Sequence, residues 1–238
     1  MAKANPAVAT SWADATRWDD EYRSIRAIPS SHRLMPSHAF LRLAPLMHLP
    51  SRARVLDAGA GTGRHSTYLA VRGCDVYAVD ASGVACETLR ERADRLKREP
   101  MLGSISVEHA VLDLGDIPAD TYDLVIDSYV SCHLLDEEER LRYLASLLTL
   151  VRPGGFLYTS CMGAGDSYYS AHREMSTGLL ATDPLNGVTK RLQSQASFEE
   201  SAGALAIGAT AVTERFVDDV DGVPYDREVV AAILPAPG

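Results

Sequence analysis

Three glycines at alternate positions, Gly59, Gly61 and Gly63, separate an apolar run ending at Asp57 from a helical pattern that opens at Arg64-His65-Ser66-Thr67-Tyr68-Leu69-Ala70. Glycine is used where the backbone must take φ > 0 or where a ligand approaches without a Cβ in the way, and a helix N-terminus presents free N–H groups. Gly59-Ala60-Gly61-Thr62-Gly63 is therefore a candidate turn for holding a nucleotide-like cofactor. The dinucleotide fingerprint G-x-G-x-x-G needs a glycine at position 64, where Arg64 stands. A second acid, Asp80, closes the next apolar run, at a place where ribose hydroxyls need an acceptor pair. Farther along, His133 in Tyr129-Val130-Ser131-Cys132-His133 is the best-placed base, because histidine titrates near neutrality. Tyr168, Tyr169 and His172 make up an aromatic and histidine group suited to walling a substrate.

Such residues need a scaffold that brings them to one edge. Val55-Leu56-Asp57, Asp75 to Val79, Ile105 to Ala110, Tyr122 to Val130 and Phe156 to Ser160 read as successive strands, the fourth with its exit loop. Helical patterns fill the gaps: residues 64–72 up to Gly73, a Ser82-capped helix through Leu89, Ala93 and Leu96, and a helix opening near Asp136. In the last of these, Glu137, Glu138 and Glu139 form a solvated first turn matched to the helix dipole, and Leu141, Leu144, Leu147 and Leu148 the buried stripe. Arg152-Pro153-Gly154-Gly155 ends it and turns into the fifth strand. This alternation predicts an α/β fold with a mostly parallel, doubly wound sheet covered on both faces. Asp221-Gly222 between two late strand patterns predicts a hairpin, hence an antiparallel pair.

Two helices precede the first strand, one over Trp12 to Ile28 and one capped by Ser37 and kinked or split by Pro45, and they read as a packing cap or a lid. The expected organisation is a flexible tail over 1–10 and a single domain over 11–238. Within it, 11–50 form an N-terminal helical lid, 51–160 the cofactor-binding core, 161–208 a substrate-wall segment and 209–238 the terminal hairpin.

The 238 residues carry a net charge of -9, which repels phosphate backbones and anionic lipid and so argues against nucleic acid and membrane partners. The four cysteines lie singly in apolar segments and read as reduced core thiols. No apolar run reaches the roughly 20 residues that cross a bilayer, and the first ten residues hold no cleavable apolar region, so a cytoplasmic monomer or homodimer is expected. Asp127, Asp166 and Asp183 are too scattered for a metal site, and none is expected.

Asp57-x-Gly59-x-Gly61-x-Gly63, Asp80, Val111-Leu112-Asp113, Tyr122-Asp123-Leu124-Val125 and Arg152-Pro153-Gly154-Gly155, in that order, resemble the cofactor half of the class I S-adenosylmethionine-dependent methyltransferases. Gly61 to Ala70 is most similar to the tellurite-resistance and thiopurine methyltransferase-like subgroup. The resemblance implies a Rossmann-like seven-stranded sheet with an antiparallel C-terminal strand, S-adenosylmethionine as cofactor, and methyl transfer to a small molecule through an O-, N- or S-acceptor. It implies that Asp57 and the Gly59, Ala60, Gly61 and Gly63 backbone form the methionine-side turn and that Asp80 takes the ribose. Ala81 lies against adenine, Asp113 and Leu114 meet the adenine edge, and Ser128 lines the methyl end. Tyr22 and Trp18 either close over the cofactor or pack as core aromatics.

On this reading His133 is a catalytic base or a group that only bonds across its loop. Tyr129, His133, Tyr168, Tyr169 and His172 face the substrate. The acidic chain suggests a neutral or cationic acceptor, with Arg173 or His172 as the group that could hold a carboxylate instead. The alternatives are a cyclase or decarboxylase that binds the same sulfonium without transferring its methyl, and a non-catalytic regulatory protein.

Overall fold

In the computed structural model, residues 15–24, 33–99, 102–111, 119, 121–170, 172–174 and 178–237 are described. The 1–10 tail and the two ends of the predicted first helix, 12–14 and 25–28, lie outside them, as do Asp113 and Leu114. Five strands, β1 (Arg54–Ala58), β2 (Asp75–Asp80), β3 (Ser104–His109), β4 (Tyr122–Ser128) and β5 (Val151–Met162), pair in parallel. With β8 (Thr210–Val220) and β9 (Val223–Pro235) they form a seven-stranded sheet ordered β3-β2-β1-β4-β5-β9-β8. The last strand, β9, is inserted between β5 and β8 and runs antiparallel to both. Asp221 (φ 53°) and Gly222 (φ 80°) make the two-residue turn between them, the left-handed pair that matches strand twist.

Two layers of helices cover the sheet because its strands are apolar on both faces. Val55, Leu124, Ile126 and Tyr158 pack with Phe40 and Leu43 of α2 (His38–Leu43), Leu69 of α3 (Arg64–Val71) and Leu89 of α4 (Gly83–Leu96). Their neighbours Leu56, Val125 and Leu157 face the other way, onto Leu144 and Leu147 of α5 (Glu137–Leu148) and Phe198 of α7 (Gln195–Leu205). Ser37, Ser82 and Asp136 cap α2, α4 and α5 through their side-chain oxygens. After α2, the chain through Pro45 continues as a 3-10 turn over Ala44–Met47, so the proline splits the helix.

Three details depart from the sequence expectation. Arg152 to Gly155 belong to β5, as a bulge that shifts its register on β4, with Gly154 at φ 78°. The stripe of α5 includes Arg140, 1% exposed, whereas Leu141 is half-buried. Arg140 explains Glu137: its guanidinium donates to both carboxylate oxygens (2.6 and 3.1 Å), and Gln193 adds a third bond at 2.9 Å, so Glu137 is an anchor and not a solvated dipole charge. The described residues of the 161–208 segment include α6 (Ser167–Ser170), the β6–β7 hairpin (Leu180–Thr182, Thr189–Arg191) and α7, where the sequence shows no regular rhythm. All four cysteines are free and buried, and burial pushes Cys74 and Cys86 up to about 11 and Cys132 up to about 12.

Candidate functional site

At the carboxyl ends of β1, β2 and β4 lies a cavity lined by the glycine turn, Asp80, Ala81, Ser128, Tyr129 and His133, and roofed by Trp18 and Tyr22 of α1 (Ala15–Arg23). The turn is tied to β2 by Gly59 and Ala60, whose N–H groups donate to the Val79 carbonyl at 2.9 and 3.0 Å. Gly59, Gly61 and Gly63 all have left-handed φ. At Gly61 a Cβ would stand 2.5 Å from the Tyr22 hydroxyl, so glycine here lets α1 close on the turn.

Asp80 sits between that turn and α4. Its Oδ2 accepts from the Gly61 N–H at 2.7 Å and its Oδ1 from the Ser82 N–H at 2.8 Å. Burial raises its pKa, and these two backbone bonds oppose the rise. Each oxygen keeps acceptor capacity toward the cavity, beside Ala81, Ala110 and Val111. Asp19 of α1 accepts from the Ser82 hydroxyl at 2.6 Å and the Val84 N–H at 3.1 Å, which fastens the roof next to Asp80.

Asp57, by contrast, is placed beneath the turn. It is 1% exposed, accepts from the Ser66 hydroxyl at 2.6 Å, and burial pushes it up to about 6. It orients the start of α3 and does not line the cavity.

The opposite end of the cavity is built from the loop after β4. Ser128 accepts from Arg64 at 3.2 Å, and the Arg64 guanidinium lies 5.1 Å over the Tyr129 ring. Tyr129 holds φ 64°, an uncommon conformation for an aromatic residue that is met at ligand sites. His133 packs edge-on against Trp18 with ring centroids 5.0 Å apart. Burial, then the nearby Lys190 ammonium, pushes its pKa down to about 3, against weaker contributions from Asp183 and the Tyr129 backbone.

Tyr168, Tyr169 and His172 do not line this cavity. The two tyrosines are buried with their hydroxyls donating to Asp183 at 3.2 and 2.9 Å, while His172 is exposed. Of the 161–208 segment, Met162 and Lys190 reach the cavity instead. Lys190 was not singled out by the sequence reading. The available signal was Asn186-Gly187, a hairpin dipeptide, which positions the short strand Thr189–Arg191. Among the described residues no three His, Cys, Asp or Glu side chains group as a metal site, and no helix is long and apolar enough to cross a membrane.

The profile of the family described as methyltransferase domain matches residues 55–155, the stretch that holds the turn, Asp80 and the β4 loop. Over that stretch, which is under half of the chain, the sequence is similar to methyltransferase domains. It is 36% identical over 117 residues to the cypemycin N-terminal methyltransferase of Streptomyces sp, which covers 48% of this chain and 44% of that protein. It is also 36% identical over 115 residues to the glycine N-methyltransferase of Mus musculus, covering 44% and 38%. The chain thus spans under half the length of these relatives. Among solved structures, magnesium protoporphyrin IX methyltransferase from Synechocystis PCC 6803, with bound S-adenosylmethionine, superposes with a TM-score of 0.57 at 18% identity, over 98% of this chain and all of that one. None of these three is a tellurite-resistance or thiopurine protein. The seven-stranded sheet described above thus has the fold of that solved structure.

The fold also buries His65, 3% exposed, with Nε2 lacking a hydrogen-bond partner among the described residues and its ring 4.8 Å from that of Phe40. Burial, and secondarily Arg64, holds its pKa well below 6.5. In the unfolded chain it takes a proton near 6.5, so its contribution to stability is complete above that pH and declines as pH falls. Asp57, raised by burial, works in the opposite sense below about pH 6, so the comparison must be a difference. Relative to the native protein, His65→Phe is expected to gain stability on going from pH 7.5 to 5, by up to about 1.4 kcal/mol per pH unit below 6.5. Urea midpoints at the two pH values measure this, and parallel profiles would refute it.

Proposed function

We propose that this protein is an S-adenosylmethionine-dependent methyltransferase that acts on a small-molecule acceptor. The observation that carries the reading is the Asp80 carboxylate, which accepts from two backbone N–H groups and stands on the wall of a cavity that the glycine turn also lines. That geometry suits a ribose, and the space a Cβ on Gly61 would fill is taken by the Tyr22 hydroxyl, which brings the roof onto the turn. When bound, the cofactor supplies an electrophilic methyl on a sulfonium, and the protein's share is alignment and exclusion of water.

On this reading Asp80 accepts both ribose hydroxyls and Ala81 lies against the adenine, with Asp113 and Leu114 on its edge. The Gly59 to Gly63 backbone and Ser128 face the methionine part, and Arg64 answers its carboxylate. Trp18 and Tyr22 close the roof. His133, with its depressed pKa, stays neutral and is a weak proton acceptor, so its part is to take a hydrogen bond from the acceptor and orient its lone pair. Tyr129 stands beside it.

Isothermal titration with S-adenosylmethionine is expected to give one-site binding. Incubation with small O-, N- and S-nucleophiles is expected to release S-adenosylhomocysteine. A folded protein that binds no S-adenosylmethionine overturns the proposal.

A further inference from the structure

The β6–β7 hairpin places one side chain, Lys190, on the wall of the cavity beside His133, and a buried network exists around it. The Lys190 Nζ donates to Asp183 Oδ2 at 3.2 Å and to the Tyr169 hydroxyl at 3.0 Å. Asp183, fully buried, accepts in addition from the Tyr168 and Tyr169 hydroxyls and from the Leu185 N–H at 3.0 Å. Its charge is shared among four donor groups, and it does not line the cavity. An ammonium has three donors, and two of these are used, so the third remains for the cavity that Lys190 lines.

The charge of the cavity points the same way. Its cationic lining residues are Arg33, Arg64 and Lys190, and among the described lining residues Asp80 is the one carboxylate. Asp80 lies at the β2 end, bonded to the glycine turn. Arg33 is paired with Asp218 at 2.5 Å, and Arg64 is 9% exposed with no ion pair among the described residues. If Arg64 answers the carboxylate of the cofactor, the positive side chain left beside His133 is Lys190. A buried ion pair is costly to assemble and gives little net stability, so an ammonium held this way at a cavity wall suits ligand recognition.

We infer that Lys190 is the specificity-determining residue for the methyl acceptor, and that the acceptor is a small anionic molecule whose carboxylate docks on the Lys190 ammonium beside His133. The inference rests on the methyltransferase reading above and names its substrate class. It reverses the neutral or cationic acceptor that the net charge of -9 suggests, because the side chains that line the cavity include three cations and, among the described residues, one carboxylate. It also gives Tyr168 and Tyr169 a role: they stand one layer behind the wall and hold the lysine that forms it.

The test uses the full chain saturated with S-adenosylhomocysteine and matched neutral and anionic probes: acetate and acetamide, benzoate and benzamide, glycine and glycinamide. Binding of S-adenosylhomocysteine is measured first, and its absence refutes the methyltransferase reading itself. With that complex formed, at least one carboxylate is expected to bind roughly 10-fold or more tighter than its amide, the range of one charge-assisted hydrogen bond. Lys190→Met strands the Asp183 charge, so the double variant Lys190→Met with Asp183→Asn, which removes both charges, is measured beside it. The preference is expected to vanish in the folded neutral variant and to persist in Lys190→Arg, with S-adenosylhomocysteine affinity unchanged in both. Equal binding of acids and amides by the native complex, or a preference that survives in the neutral variant, overturns the inference.

Discussion

Replacing Asp80 with alanine is expected to weaken S-adenosylmethionine binding by roughly 100-fold. The carboxylate offers one oxygen to each ribose hydroxyl, and hydrogen bonds to a charged group contribute about 1.5 kcal/mol or more apiece, so losing both costs about 3 kcal/mol. Asp80 also receives the Gly61 and Ser82 N–H groups, at 2.7 and 2.8 Å, and these lose their partners in the same variant. Part of the loss is therefore turn disorder. Asp80→Asn separates the two effects, because the amide oxygen keeps one acceptor while its NH2 faces a donor. It is expected to fall between alanine and native. Titration calorimetry reads the affinity and urea unfolding the turn. Native affinity in a folded Asp80→Ala protein would remove the ribose assignment.

The parts of this site that are local in sequence were legible in it. A glycine turn between a strand and a helix, an acid at the next strand end and side-chain caps at Ser37, Ser82 and Asp136 are all determined by residues within a few positions of one another. The same holds for the Asp221-Gly222 hairpin, whose backbone needs two left-handed residues. What was illegible depends on long-range packing. Lys190 reaches the cavity because the Asn186-Gly187 hairpin folds back toward the β4 loop, and nothing in Thr189-Lys190-Arg191 indicates which side chain turns inward. Tyr168 and Tyr169 have the composition of a binding wall, but Asp183 draws both hydroxyls inward. Arg140 has the sequence signature of a solvated helix residue, yet it is buried and pairs with the half-buried Glu137. In each case the partner a polar group finds once the chain is folded decides where it points, and periodicity carries no information about that choice.

Gly61→Ala tests the other half of the cofactor site. The residue has φ 56°, where alanine costs on the order of 1 kcal/mol. The added Cβ would meet the Tyr22 hydroxyl at 2.5 Å, while the next atom of that ring, Cζ, is at 3.4 Å, near ordinary contact. The clash is therefore with one oxygen at the end of a side chain, and the fold can tolerate it if the ring swings away. Yet α1 is fastened on both sides, by Asp19 to Ser82 and Val84 and by Glu21, which accepts from Asn186 at 3.2 Å, so the roof cannot lift without breaking those bonds. The expected result is a folded protein, about 1 to 2 kcal/mol less stable, that binds S-adenosylmethionine at least about 10-fold more weakly because roof and turn no longer meet. Tyr22→Phe removes the clashing oxygen. Combined with Gly61→Ala it is expected to recover part of the affinity and little of the stability, since the φ strain remains. A double-mutant cycle on the dissociation constants measures that coupling. If Gly61→Ala binds as the native protein does, or if Tyr22→Phe gives no recovery, the roof does not act through contact with the glycine turn.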